Sequence, residues 1–342
     1  MDYRELHADA LVVDSHNDTI VAHIRRGNLS LAPDRAGAVE RHSGTIAFLR
    51  GHEEPRPGAA PIQIDFSKMR EGGIDVAFFA VDVTLARGNH LAYALDGFGY
   101  LLNDLAQSGA DVAIVRRSDD VQRAKAAGRP AAILAIEHAD CTDRSLNVLR
   151  ALYEVGVRSI GLTHNVSSWA ADGCLEAREG VGLTGFGVRL VQEMNRLGML
   201  VDLAHVSPGA FFSALEVTTR PVIFSHGNAR ALCDHPRNLT DAQLRALQQN
   251  GGVIGLSFVP SFVDHERPTL ERLLDHVDHV AEVAGVETVG LGSDFDGGGT
   301  LLADATEVPR ITEGLLKRGY AEADVRKILG ENTMRVLRAA IG

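Results

Sequence analysis

The sequence predicts an α/β fold, a closed (β/α)8 TIM-like barrel that takes in residues 1–342 as one domain. Three observations lead to it. Eight short apolar runs rich in β-branched residues recur along the chain. The segments between them are long enough for helices and carry an apolar period near ~3.6. Most of the runs also end on an ionisable side chain. In order, the runs are 10–14, 74–83, 131–137, 157–163, 199–203, 221–225, 252–258 and 288–293. Alternating strands and helices imply a parallel sheet, and eight such units imply closure into a barrel.

The first run leads into Asp14-Ser15-His16-Asn17-Asp18. A long irregular excursion follows, 25–45 and the Pro- and Gly-rich 50–61; loops of this length act as lids or pocket walls, or are solvated insertions. The third run ends at Glu137, the fourth meets His164, the fifth His205, the sixth His226 and the eighth Asp294. Between the fourth and fifth runs, Leu183, Phe186, Leu190, Met194 and Leu197 mark a helix over 183–197. Between the seventh and eighth, Leu270, Leu273, Leu274, Val277, Val280, Ala281 and Ala284 mark another over 270–284. His276 and His279 on that second helix read as part of a solvated face. An open doubly wound sheet is the alternative architecture, and the absence of a GxGxxG after the first run speaks against it.

Composition narrows the function classes. Lys and Arg total 34 against 45 Asp and Glu, a formal charge of -11, which argues against a nucleic acid or an anionic membrane as the main partner and leaves room for a local basic pocket. Cys141, Cys174 and Cys233 are odd in number, widely spaced and without a CxxC, so inert buried thiols in a reducing compartment are expected. The N-terminus has no apolar signal segment, and no apolar run nears the ~18 residues of a membrane helix, so the expected location is cytoplasmic. No GxSxG elbow is present for a serine hydrolase.

In a barrel, the C-terminal strand ends open onto one mouth. Four histidines and three acids converging there are costly to bury without partners, and a metal is the natural partner. His16 and Asp18, at i and i+2, point to the same side of an extended strand. Glu137, His205 and His226 arrive from three other strands. These five ligands are too many for one tetrahedral ion and suit two divalent ions, Zn2+ foremost, that share a carboxylate. Paired-metal barrels of the amidohydrolase type often bridge their ions with a carboxylated lysine. The four lysines, Lys68, Lys125, Lys317 and Lys327, end no run, which leaves Glu137 as the bridge.

The chain resembles the membrane (renal) dipeptidases, the M19 dinuclear zinc dipeptidases. The matching stretches are Val13-Asp14-Ser15-His16-Asn17-Asp18, Leu162-Thr163-His164-Asn165, Gly182-Leu183-Thr184-Gly185-Phe186-Gly187, Val201-Asp202-Leu203-Ala204-His205-Val206-Ser207, Phe224-Ser225-His226, His235-Pro236-Arg237-Asn238-Leu239-Thr240 and Gly292-Ser293-Asp294-Phe295-Asp296-Gly297, in family order. The resemblance implies an amidohydrolase-like metal-dependent hydrolase that cleaves dipeptides, L-Xaa-D-Xaa among them, by a metal-bridging hydroxide. It implies that His16 and Asp18 hold one zinc, His205 and His226 the other, and that Glu137 bridges. It implies further that Asp294 is the catalytic acid/base, that His164 binds the substrate and polarises the scissile carbonyl, and that Arg237 receives the C-terminal carboxylate. The expected partner is a small dipeptide, with neither nucleic acid nor membrane; a homodimer is compatible with this class. The GPI-anchoring tail and disulfide cysteines of the animal enzymes are not apparent, which suggests a soluble microbial-type form. Three departures bear on substrate preference: His138 stands where relatives commonly have glycine, Gly227 where serine is common and Ser257 where many have asparagine. The alternatives are a metal-dependent hydrolase of another small amide or ester, such as an N-acyl amino acid or lactone, and a non-catalytic binding protein that kept the fold.

Overall fold

A parallel strand enclosed on both faces must be apolar on both, and that is how these runs are built. The computed structural model describes residues 2–25, 30–32, 45, 62–109, 111–178 and 181–342; most of the irregular excursion lies outside them. Among the described residues nine parallel strands form the sheet: β1 (Val13–Asn17), β2 (Val76–Asp82), β3 (Ala113–Ile114), β4 (Ala131–Glu137), β5 (Val157–Gly161), β6 (Leu200–Asp202), β7 (Ile223–Gly227), β8 (Val253–Leu256) and β9 (Val289–Leu291). Their order is β2-β1-β9-β8-β7-β6-β5-β4, and β2 pairs back onto β4 from Val76↔Ala131 to Asp82↔Glu137. Eight strands thus close a barrel with helices around it, as expected. β3, which the apolar pattern did not reveal, is a two-residue addition beside the start of β4.

The period-two alternation assigns each strand residue to a face. Val76, Phe78 and Ala80 of β2 and Ala131, Ile133 and Ala135 of β4 fill the interior with Val13, Leu200, Ile223 and Val253. Ala77, Phe79, Val81, Ala132, Leu134 and Ile136 face the surrounding helices. Helix Asn332–Ile341 adds Met334, Val336 and Leu337 to the interior group and touches β1, β6, β8 and β9, so it closes the end opposite the mouth. Near the mouth the packing layer is small: a Cβ on Gly255 or Gly292 would lie 2.1 or 1.9 Å from the Ser225 carbonyl oxygen.

β1 and β7 begin later than their apolar residues suggest, at Val13 rather than 10 and at Ile223 rather than 221. Pairing with both neighbours sets their register, and the polar residues that extend them find partners at the mouth. The helices match more closely. Gly185–Leu197 starts where Thr184 accepts the Gly187 N–H and stops at Gly198, whose φ of 82° suits glycine. Leu270–Ala284 forms as predicted. His276 corrects the reading of that helix. It is fully buried, accepts the Ala229 N–H at Nδ1 (3.1 Å) and donates from Nε2 to the Val263 carbonyl (2.9 Å). Only His279 lies nearer the surface, 2.8 Å from Asp241.

Glu193 ties helix Gly185–Leu197 to helix Leu146–Val155, accepting from Arg196 (2.7 and 2.8 Å) and Arg150 (2.6 Å). Arg196 first, then Arg150, hold its carboxyl down at about 2 against the opposing effect of burial. A carboxyl depressed from an unfolded value of ~4.3 contributes stability that is present above that pH and lost as pH falls toward 2. Both arginines are half-exposed, so the contribution is small. Glu193→Gln should lower stability by about 1 kcal/mol at pH 7 and flatten the loss between pH 5 and 2, read from urea midpoints across that range.

Candidate metal centre

Inward parity carries two acids to the mouth. Asp82 follows Phe78 and Ala80, Glu137 follows Ile133 and Ala135, and the two sit side by side in register. The same parity would turn His16 and His226 toward the helices. Both strands break register at that point, β1 between Asp14 and Asn17 and β7 between Phe224 and Gly227, and the irregularity aims each imidazole into the mouth. His205 and Asp294 follow β6 and β9 with positive φ, 66° and 59°. Such backbone is uncommon for non-glycine residues and clusters at functional sites.

Glu137 stands at the centre. Its Oε1 lies 2.9 Å from His205 Nε2, 3.5 Å from His226 Nε2 and 3.6 Å from His16 Nε2. Asp18 Oδ2 is 3.6 Å from His16 Nε2, and His164 Nε2 is 3.9 Å from Glu137 Oε2. Three sets of donor atoms converge closely enough to hold an ion: His16, Glu137 and His226; Glu137, His164 and His205; His16, Asp18 and Asp294. All seven residues expected at the mouth therefore meet there.

The electrostatics call for positive charge. Burial alone would lower the His16 pKa, yet Glu137, then Asp18 and Asp294, raise it to about 10. Burial drives the Glu137 carboxyl well up, and Asp18, Asp82 and Asp294 add to this against the opposing pull of His16. Burial pushes Asp294 up to about 6. His205 and His226 are driven far down by burial, and so stand as the neutral imidazoles that ligate metals. His16 Nε2, Asp18 Oδ1 and Glu137 Oε1 are buried with no hydrogen-bond partner. Orphaned donors of this kind, nitrogen and carboxylate oxygen around one point, fit a divalent transition ion.

Neighbours hold the ring nitrogens and loops in place. Asn165 Oδ1 lies 2.9 Å from His205 Nδ1, and Ser225 Oγ lies 2.8 Å from His226 Nδ1. Asp14 accepts the Ser293 N–H (2.7 Å) and hydroxyl (2.8 Å), which locks the ends of β1 and β9 together. Asn165, Asp14 and Asp82 were not singled out from sequence. For Asp82 the signal was present, an acid continuing the inward parity of an apolar run. Arg237 is buried over the Phe262 ring rather than in a surface salt bridge. Its Nη2 donates to the His226 carbonyl (3.1 Å), its Nε is 3.0 Å from His205 Nδ1, and its Nη1 has no partner. Trp169 stands half-exposed on the rim under the Arg144 guanidinium, and Cys174, expected to be buried, is partly exposed.

Nitrogen and carboxylate donors gathered at the C-terminal mouth of a parallel barrel place the protein among the barrels suited to metal-dependent chemistry. The model of the membrane dipeptidase family, peptidase family M19, matches residues 1–341, and the chain belongs to that family. It is 37% identical to a dipeptidase, tcpJ, of Claviceps purpurea, covering 80% of this chain and 68% of that one. It is 33% identical to an uncharacterized dipeptidase of Schizosaccharomyces pombe, covering 98% of this chain and 81% of that one. A Rhodobacter sphaeroides metallopeptidase, solved with a phosphinate mimic of the dipeptide L-Ala-D-Ala, superposes with a TM-score of 0.80 at 27% identity, covering 97% of this chain and all of that one. Among the described residues no helix is long and apolar enough to cross a membrane.

Gly297 sits against the acids: a Cβ there would lie 1.9 Å from Asp18 Oδ2 and 2.3 Å from Asp294 Oδ1. Gly297→Ala should displace both carboxylates and weaken divalent-metal affinity on the order of 10–100-fold, with far-UV circular dichroism unchanged. Metal titration by calorimetry reads this; wild-type affinity would show that the loop yields without moving Asp18.

Proposed function

We propose that the chain hydrolyses the peptide bond of dipeptides at a centre of two divalent ions, zinc foremost. The observation that supports this best is the convergence of His16, His205 and His226 on the single carboxylate of Glu137. In this reading Glu137 would be shared by both ions, His16 and Asp18 would complete one set, and His205 and His226 would complete the other. When bound, a pair of such ions lowers the pKa of water toward ~7 and polarises a carbonyl oxygen.

The remaining work falls to the chain's own side chains. Asp294 is held beside His16 and Asp18, placed to take a proton from the attacking water and return it to the leaving amine. His164, partly exposed at the mouth with Asp82 3.7 Å behind it, can donate to the developing oxyanion. Arg237 offers Nη1, a buried and partnerless donor, to the terminal carboxylate; a planar guanidinium matches that group in shape and charge. A D-residue at the second position is accepted in this reading, since recognition there rests on the carboxylate. The relative that binds a mimic of L-Ala-D-Ala supports it.

Two expectations follow. Metal analysis of purified protein should find close to two zinc-like ions per chain, and Glu137→Ala should lose both; a variant with full metal would remove Glu137 from the shared position. In the second, dipeptides should be cleaved and tripeptides spared, and amidated dipeptides should lose about 2–5 kcal/mol of recognition in kcat/KM. Arg237→Met should narrow the gap between free and amidated substrate. Equal kcat/KM for the two in the unmutated enzyme would exclude Arg237 and favour hydrolysis of another small amide or ester.

A further inference from the structure

His138 is the residue that the metal chemistry leaves unexplained. It follows Glu137 directly, with a φ of 76°, a conformation that glycine adopts freely and other residues rarely. The residue is 3% exposed, and neither ring nitrogen has a hydrogen-bond partner. Asp140 Oδ2 lies 3.8 Å from Nδ1, outside hydrogen-bond reach, and the ring of His90 stands edge-on at 6.3 Å. Buried polar groups are nearly always satisfied, so an imidazole kept here on strained backbone with both nitrogens free marks a place where a ligand supplies the partner.

The barrel shows which part of a substrate arrives there. In the ring of eight, β2 is four places from β7 in either direction, so the two strands face each other across the mouth. Arg237 is fixed on the β7 side by its bond to the His226 carbonyl. Asp82 and His138 end β2 and follow β4, on the far side of Glu137 and His164. A dipeptide whose carboxylate lies at Arg237 and whose peptide bond lies over Glu137 directs its first residue toward Asp82 and His138. Two carboxylates lie beside these residues. Asp82 Oδ1 is taken by the Thr84 N–H and hydroxyl, leaving Oδ2 toward His164, and Asp140 Oδ1 is taken by the Trp169 N–H, leaving Oδ2 toward His138.

Building on the dipeptidase reading, we propose that His138, Asp82 and Asp140 wall the pocket for the side chain of the substrate's N-terminal residue and select a basic, hydrogen-bond-donating side chain. The carboxylates supply acceptors and negative charge, and the imidazole supplies a further acceptor nitrogen inside a buried wall. An apolar side chain of equal length would leave all three unsatisfied, which is the strongest form of discrimination such a pocket has.

The test compares L-lysyl-alanine with L-norleucyl-alanine, matched in length and differing in the ammonium group, on metal-loaded protein. The unmutated enzyme should favour the lysyl substrate at least about tenfold in kcat/KM, as expected when a site built for a polar group meets an analogue lacking it. His138→Gly, which relieves the backbone, and Asp82→Asn should each cut that ratio several-fold, with His138→Gln keeping more of it than glycine. Metal content and melting temperature are measured on the same samples. A ratio near one in the unmutated enzyme, or an unchanged ratio in both His138→Gly and Asp82→Asn, would overturn the inference and leave the dipeptidase reading standing. Failure of the loaded protein to cleave either dipeptide would overturn both.

Discussion

Negative charge buried at the barrel mouth needs a positive partner, and the rest of the site is arranged around that need. Asp18, Glu137 and Asp294 stand within reach of one another and of Asp82, all but Asp18 almost wholly removed from water. In the protein alone, His16 answers the charge by holding its proton up to about pH 10. A single imidazolium is a weak answer to so many carboxylates, whereas divalent ions would restore the ionised form of the acids and could use the neutral nitrogens of His205 and His226 as well. Stability and chemistry therefore meet in one group: Glu137, touched by three imidazoles, is the point through which strands β1, β4, β6 and β7 sense one another.

The barrel supplies the precision this requires. Its lower interior is filled by branched and aromatic side chains and closed by the C-terminal helix, while the layer beneath the site is reduced to Ser15, Ser225, Gly255 and Gly292. That thin layer lets the backbones of β1, β7, β8 and β9 approach closely, with Ser15 Oγ reaching the carbonyls of Ser225 (2.6 Å) and Leu291 (2.8 Å). The register breaks in β1 and β7 then turn histidines that the pleat would aim outward into the mouth. Rigid strand ends hold ligands more closely than free loops can, which is why barrels of this kind place their chemistry there.

Across the mouth the site is polarised. The β7 side presents Arg237, a buried cation with one donor unclaimed; the β2 and β4 side presents Asp82, Asp140 and the partnerless His138. A dipeptide with a basic first residue and an extended backbone would find its terminal carboxylate and that side chain met by opposite charge, with the reacting bond between them. This polarity gives orientation as well as affinity, since a reversed substrate would place like charges together at both ends.

Much of this was legible in the sequence, because the relevant signals are local. Apolar runs and their spacing specify strands and helices through periods of two and ~3.6, and a polar residue at the end of a buried strand is conspicuous. That logic recovered the eight barrel strands, the helix Leu270–Ala284 and the seven side chains that meet at the mouth. What depended on partners distant in the chain was not recoverable this way. His276 looked like a solvated residue until Ala229 and Val263 closed over it, and β3 exists only because β4 pairs with it. The later starts of β1 and β7, the turning of His16 and His226 into the mouth, and the contact of Gly297 with Asp18 were all decided by register and close approach between segments tens to hundreds of residues apart. Local pattern determines which elements form and which residues can do chemistry; only the packed barrel determines which atoms touch, because register and contact are properties of pairs of strands and no single strand contains them.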